Sequence, residues 1–182
     1  DVGTFVDRMN QRAAQLELTH TQFANPNGLD DEHNRSTAED LARLADAALE
    51  NELFREIVST KTYTSGSRVM TNHNKLLWRY EGAIGVKTGY TRAAGYCLVS
   101  SAERNGVRIL AVAMGCDGPL NAEIEECYNF VDSRTLYDWA FDNFSYRSIL
   151  SSTEPITKVN VEMAEGDGTV MLYPAGNLNV LM

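Results

Sequence analysis

The sequence is short of positive charge, of cysteine and of long apolar runs. Lys and Arg number 16 against 25 Asp and Glu, a formal net charge of −9 at pH 7. That balance argues against a nucleic-acid partner and against an anionic membrane surface. No apolar run approaches the length of a membrane span. Neither G-x-G-x-x-G nor G-K-[ST] occurs, so no glycine loop is set to cradle a phosphate. There is no internal repeat and no low-complexity tract. The three cysteines are Cys97, Cys116 and Cys127. They form no C-x-x-C or Cys/His cluster of the kind that binds zinc. Cys97 lies in an apolar run and reads as a small buried hydrophobe. Cys116 and Cys127 flank a loop and can pair in an oxidising compartment. His20, His33 and His73 are scattered and read as loop or surface residues. Asp30-Asp31-Glu32-His33 has the residue types of a metal site, but as a charged loop before a helix it reads as solvated.

What is present fits one domain, or one domain and a piece, in 182 residues with 43% hydrophobic content. Phe5, Val6, Met9, Ala13 and Leu16 recur at helical spacing and predict a helix over 4–16. Asn25-Pro26-Asn27-Gly28 is turn chemistry. Ser36-Thr37-Ala38-Glu39 reads as a capping box, followed by a helix carrying Leu41, Leu44, Ala45, Ala48 and Leu49. Helical character continues over 53–58. Thr60, Thr62 and Thr64 then alternate as a strand, ended by Ser65-Gly66-Ser67. Trp78 and Tyr80 read as packing residues. The clearest hairpin joins 96–101 to 107–114 through Asn105-Gly106. Both arms are densely apolar, so both faces are expected to be covered. A helix, single or broken, is predicted over 122–144, with Ile124, Tyr128, Val131, Leu136, Trp139, Ala140 and Phe144 on its apolar side. After Ser152 the texture changes. Residues 156–163 and 169–173 predict a β-hairpin about Glu165-Gly166-Asp167-Gly168.

Ahead of the clear hairpin stands Gly85-Val86-Lys87-Thr88-Gly89-Tyr90-Thr91. Lys87 offers a positive charge on a flexible stem, suited to a carboxylate or to a nucleophile and its base. The Thr88 hydroxyl can donate to the same carboxylate. Gly89 leaves room for a substrate backbone against the strand. Lys-Thr-Gly is the tripeptide that serine β-lactamases and penicillin-binding proteins carry beside the active site. Around it, Asn72-His73-Asn74-Lys75-Leu76-Leu77 and Ala94-Gly95-Tyr96 lengthen the match. So do Phe5 to Asn10, Thr21 to Leu29 and Leu136 to Phe144, all in order. Together they resemble the D-alanyl-D-alanine carboxypeptidases among the low-molecular-mass penicillin-binding proteins.

The resemblance implies an α+β fold, an antiparallel sheet flanked by helices as in the penicillin-binding/β-lactamase-like transpeptidases. The fold is expected to be incomplete: residues 1–152 form the C-terminal part of the catalytic domain, and 153–182 begin a small C-terminal β-domain. The family's Ser-x-x-Lys and Ser-x-Asn motifs do not occur in this sequence. They would lie upstream, so the chain is expected to start after the nucleophile. The implied reaction is serine-type removal of the terminal D-Ala from peptidoglycan stem peptides, with no metal or cofactor. Lys87 would serve catalysis, and Lys87, Thr88, Gly89 and Tyr90 would bind the peptide or a β-lactam. The family's carboxylate-binding Arg aligns near Asn129, which leaves Arg134 as the nearest cation. Expected partners are the missing N-terminal segment or a swapped copy; the expected place is extracytoplasmic. The alternatives are a related serine β-lactamase and a non-catalytic wall-binding module. The tail is expected to be poorly ordered unless it packs on something.

Overall fold

A computed structural model describes residues 1–119, 127–163 and 168–182. The chain falls into two compact units, one of 1–104 and 108–140, the other of 105–107 and 141–182. The first opens with helices α1 (Val2–Gln15), α2 (Ala38–Leu49) and α3 (Glu52–Ser59). Asp1, Thr37 and Asn51 cap them, each side chain accepting from a backbone N–H of the first turn. The cap of α2 is thus Thr37 rather than Ser36. Asp40, one residue beyond the expected Glu39 partner, turns inward. Its carboxylate accepts from the His20 N–H at 2.9 Å and the Thr21 hydroxyl at 2.7 Å.

A two-stranded ribbon follows, β1 (Thr62–Ser65) with β2 (Arg68–Thr71). Ser65-Gly66-Ser67 ends the first strand as expected and also turns the chain back into a second. Every residue of both arms is exposed. The short helix α4 (Leu76–Arg79) buries Leu76 and Leu77. The main sheet has the order β3 (Ala83–Thr91), β4 (Gly95–Arg104), β5 (Val107–Cys116). The β4–β5 turn is the expected one: Asn105 and Gly106 both take positive φ, 51° and 77°, the geometry that matches the twist of the flanking strands.

The core gathers where α2, α4 and α5 (Tyr128–Asn143) cover this sheet. Leu49, Leu76, Leu98 and Ala102 are at most 1% exposed. Each leucine contributes roughly 1.5–3 kcal/mol by leaving water. The helix α5 does not present the expected apolar face. Asn129, Phe130, Ser133, Tyr137 and Ala140 point inward, while Tyr128, Leu136 and Trp139 are at least half exposed. Polar groups can line the buried face because they find partners there: Tyr137 donates to the Ser100 hydroxyl at 2.7 Å, and Ser133 to the Asn129 carbonyl at 2.7 Å. The predicted start of this helix, Ala122 to Glu126, lies outside the described residues.

In the second unit, β6 (Tyr146–Leu150) pairs with β9 (Leu178–Leu181), and β7 (Thr157–Asn160) with β8 (Thr169–Leu172). The β7–β8 pair is the expected hairpin; most of its predicted turn lies outside the described residues. The tail forms a strand because β6 supplies its partner. All but two of the residues in these four strands are exposed.

Burial pushes the Tyr137 phenol above its ordinary value. Burial also raises Tyr80, helped by the hydrogen bond its hydroxyl donates to Asp138. Both phenols are neutral in the folded chain. Unfolded, they would ionise near pH 10. Their contribution is therefore full below about pH 10 and is lost as pH rises toward the folded values. Urea unfolding should show stability falling above about pH 10, with a shallower fall in Tyr137→Phe. At neutral pH that substitution should cost about 1 kcal/mol.

Candidate active site

The strand β3 is fixed by asparagine side chains. The Asn72 amide donates to the carbonyls of Val58 at 3.2 Å and Thr60 at 3.1 Å. Its oxygen accepts from the Asn74 N–H at 2.9 Å. Asn74, fully buried, donates to the Gly85 carbonyl at 2.7 Å and accepts from the Leu76 N–H at 3.2 Å. Two amides thus join the end of α3, the start of α4 and the start of β3. Gly85 sits at the register shift of β3 against β4, with φ at 155°. A Cβ there would stand 2.8 Å from Val58 Cγ2. Only glycine fits this bulge, and the bulge re-aims the strand two residues before Lys87.

From there β3 runs along the outer edge of the sheet, Lys87 opposite Val99, Thr88 opposite Leu98 and Gly89 opposite Cys97. Lys87 is exposed and Thr88 half-buried. The Lys87 ammonium donates to the Thr88 carbonyl at 2.5 Å. Gly89 has no positive φ and no crowding. A Cβ there would meet the Cys97 Cβ at 3.8 Å, an ordinary contact. The fold therefore does not require glycine at this position.

Lys87, Thr88, Gly89 and Tyr90 all line one cleft of about 1930 Å³, well beyond a small-molecule pocket of roughly 300–1,000 Å³. Its lining brings together His73, Lys75, Arg79 and Lys87 with Asp30, Asp31 and Glu32 of the loop 25–34. Trp78, expected to pack underneath, is 43% exposed and lines the cleft, whereas Tyr80 is buried as expected. Tyr90 and Tyr96 stack at 4.4 Å between ring centroids, and the Tyr96 hydroxyl donates to the Pro119 carbonyl at 2.9 Å.

Arg134 is not among the residues lining the cleft; its charge acts instead on Tyr80. At the aligned position Asn129 does line the cleft, 2% exposed, its side-chain oxygen accepting from the Phe130 N–H. Cys97 is not a core residue but half-buried beside Gly89, because its strand neighbours the edge strand. Cys97 and Cys116 are free thiols, so the Cys116–Cys127 disulfide is not formed.

The model of the D-alanyl-D-alanine carboxypeptidase family matches residues 2–118, well over half the chain. The chain belongs to that family. D-alanyl-D-alanine carboxypeptidase DacF of Bacillus subtilis is 33% identical over 165 residues, 87% of this chain and 40% of the relative. Among solved structures, penicillin binding protein 5 of Haemophilus influenzae superposes with a TM-score of 0.72 at 30% identity, covering 100% of this chain and 52% of its own. A point mutant of the Streptomyces K15 DD-transpeptidase gives 0.70 at 34%, over 78% of this chain and 55% of its own. The carboxypeptidase-family chain described here thus spans about half the length of these relatives, and its α+β fold is an incomplete version of theirs.

The Asn74 clamp carries a direct expectation. Asn74→Ala leaves the buried Gly85 carbonyl without its donor, a loss of about 1–3 kcal/mol. Urea unfolding of this chain against the wild type measures it.

Proposed function

We propose that the whole protein is a penicillin-sensitive serine-type D-Ala-D-Ala carboxypeptidase that trims the terminal D-Ala from peptidoglycan stem peptides. The supporting observation is the placement of Lys87-Thr88-Gly89 on the edge strand, lining a large cleft, with a glycine that the fold itself does not need. The serine comes from a segment outside this chain, carried by the family's Ser-x-x-Lys motif. Its oxygen attacks the carbonyl carbon of the penultimate D-Ala, whose C–N bond breaks. The terminal D-Ala leaves with the proton, and water then hydrolyses the ester.

This chain contributes one wall. The peptide adds to the free edge of β3 by backbone hydrogen bonds along Thr88 to Tyr90. Lys87 and Thr88 hold the terminal carboxylate, and Lys87 adds positive charge beside the nucleophile and its base. The Tyr90 N–H is one of two oxyanion donors, a role worth about 3–4 kcal/mol. We take the catalytic domain to end near residue 140 rather than 152, with the rest beginning a C-terminal β-domain, because β6 pairs with β9 in the second unit. The upstream segment, or a second copy by swapping, covers apolar side chains such as Phe5, Leu136 and Trp139 that are at least half exposed here. The substrate places the protein outside the cytoplasm.

Intact-mass analysis of the whole protein after incubation with penicillin tests this reading. One adduct is expected, mapping to a serine outside these 182 residues. An adduct within them would redistribute the roles above, and none at all would favour a non-catalytic wall-binding module. A second expectation concerns Gly89→Ala. It should change stability by less than about 0.5 kcal/mol while slowing penicillin acylation on the order of a hundredfold, since a methyl group there displaces the bound chain. Thermal melts and stopped-flow acylation separate the two effects.

A further inference from the structure

The cleft has a loop wall and a strand wall, and a hydrogen bond ties one to the other. The loop 25–34 is largely held by its own side chains. Asn25 accepts from the Gly28 N–H at 2.9 Å, and the Leu29 carbonyl receives the amides of Asn25 at 3.1 Å and Asn34 at 3.0 Å. Asp31 accepts from the His33 N–H at 2.8 Å. At the neck Gln22 and Arg35 exchange both backbone bonds, at 2.9 and 3.0 Å. The carboxylate of Asp30 points the other way. It accepts from the Thr91 hydroxyl at 2.7 Å, across 61 residues of sequence.

Thr91 is the last residue of β3. Its hydroxyl also accepts from the Ala94 N–H at 3.0 Å. One oxygen therefore fixes both the turn out of β3 and the approach of the loop. The neighbouring residue is Tyr90, whose N–H the proposed mechanism uses.

We propose that Asp30 is a positioning residue: through the Thr91 hydroxyl it sets the separation of the two walls and holds the end of the edge strand in register for the bound peptide. The inference rests on the reading of this cleft as the carboxypeptidase site. Asp30 acts through Thr91 and touches no reacting atom. Its loss therefore falls on KM and on both chemical steps, acylation and hydrolysis of the ester, since each uses the Tyr90 N–H at the end of the strand. An acceptor at position 30 and a hydroxyl at position 91 are what the device needs, so Asp30→Asn and Thr91→Ser should preserve it.

The test uses the whole protein, with Asp30→Ala, Thr91→Val, the double variant and the two conservative variants. Penicillin acylation should slow about tenfold in each disruptive single variant, the factor expected for one hydrogen bond to a charged group. The double variant should be no slower than either single, because both remove the same bond. The conservative variants should stay within about threefold of wild type, deacylation should slow alongside acylation in the disruptive ones, and melting temperatures should not move. Hydrogen exchange of the loop amides 26–32 should speed up in Thr91→Val and Asp30→Ala. Unchanged acylation in the disruptive variants, additive losses in the double, or Thr91→Ser as poor as Thr91→Val would each overturn the proposal. Should the wild type take no penicillin, the carboxypeptidase reading fails by itself. Exchange then decides the tie alone: faster loop exchange in Thr91→Val supports it, and unchanged exchange overturns it.

Discussion

The buried amide of Asn74 holds the site in place. A side chain with no solvent access must satisfy its donor and acceptor inside the protein, and Asn74 does so by closing onto the Gly85 carbonyl and the Leu76 N–H. Those two bonds decide where β3 begins and how α4 lies against it. Asn72 extends the constraint to the ends of α3 and β1. Lys87, Thr88 and Gly89 then follow as consequences of a strand whose origin is already fixed. Because the clamp uses neutral amides, this anchoring does not depend on pH or salt as an ion pair would.

The cleft itself combines features with different physical demands. The strand wall needs rigidity, which β4 provides along the full length of β3. The loop wall must fit a ligand, and it draws its order from short side-chain bonds to its own backbone. Charges of both signs line the cleft, even though the chain as a whole is acidic.

Much of this was legible in the sequence. The hairpin about Asn105-Gly106 could be read because the turn type demands those residues between apolar arms. Lys87 to Tyr90 could be read because the tripeptide came with ordered neighbours. Periodicity failed where burial is not apolar. The α5 face holding Asn129, Ser133 and Tyr137 is largely polar, so a search for apolar spacing found Ala140 on it but otherwise selected exposed residues such as Tyr128, Leu136 and Trp139. The alternation of Thr60, Thr62 and Thr64 did announce β1, whereas β2, exposed throughout, was not read as its partner. Thr37 replaced Ser36 as the cap because both are good acceptors and only the backbone chooses between them. The Asn-x-Asn before Leu76 and Leu77 was visible as part of a resemblance, but its clamping role depends on a carbonyl brought close by the fold. The cysteine pairing was never decidable from spacing, which constrains loop length and not the distance between Cβ atoms.

The tie between Asp30 and Thr91 has a consequence for how the chain assembles. Strands β3, β4 and β5 are neighbours in sequence, so the sheet can grow by closing short loops. The cleft rim cannot, because its bond joins residues 61 positions apart. The Tyr80–Asp138 bond, 58 apart, and the Arg108–Asp46 pair, 62 apart, are of the same kind. Loop-closure entropy rises with separation, and contacts of high sequence separation slow folding. The rim therefore belongs with these long-range contacts, which close only after the locally connected sheet has formed.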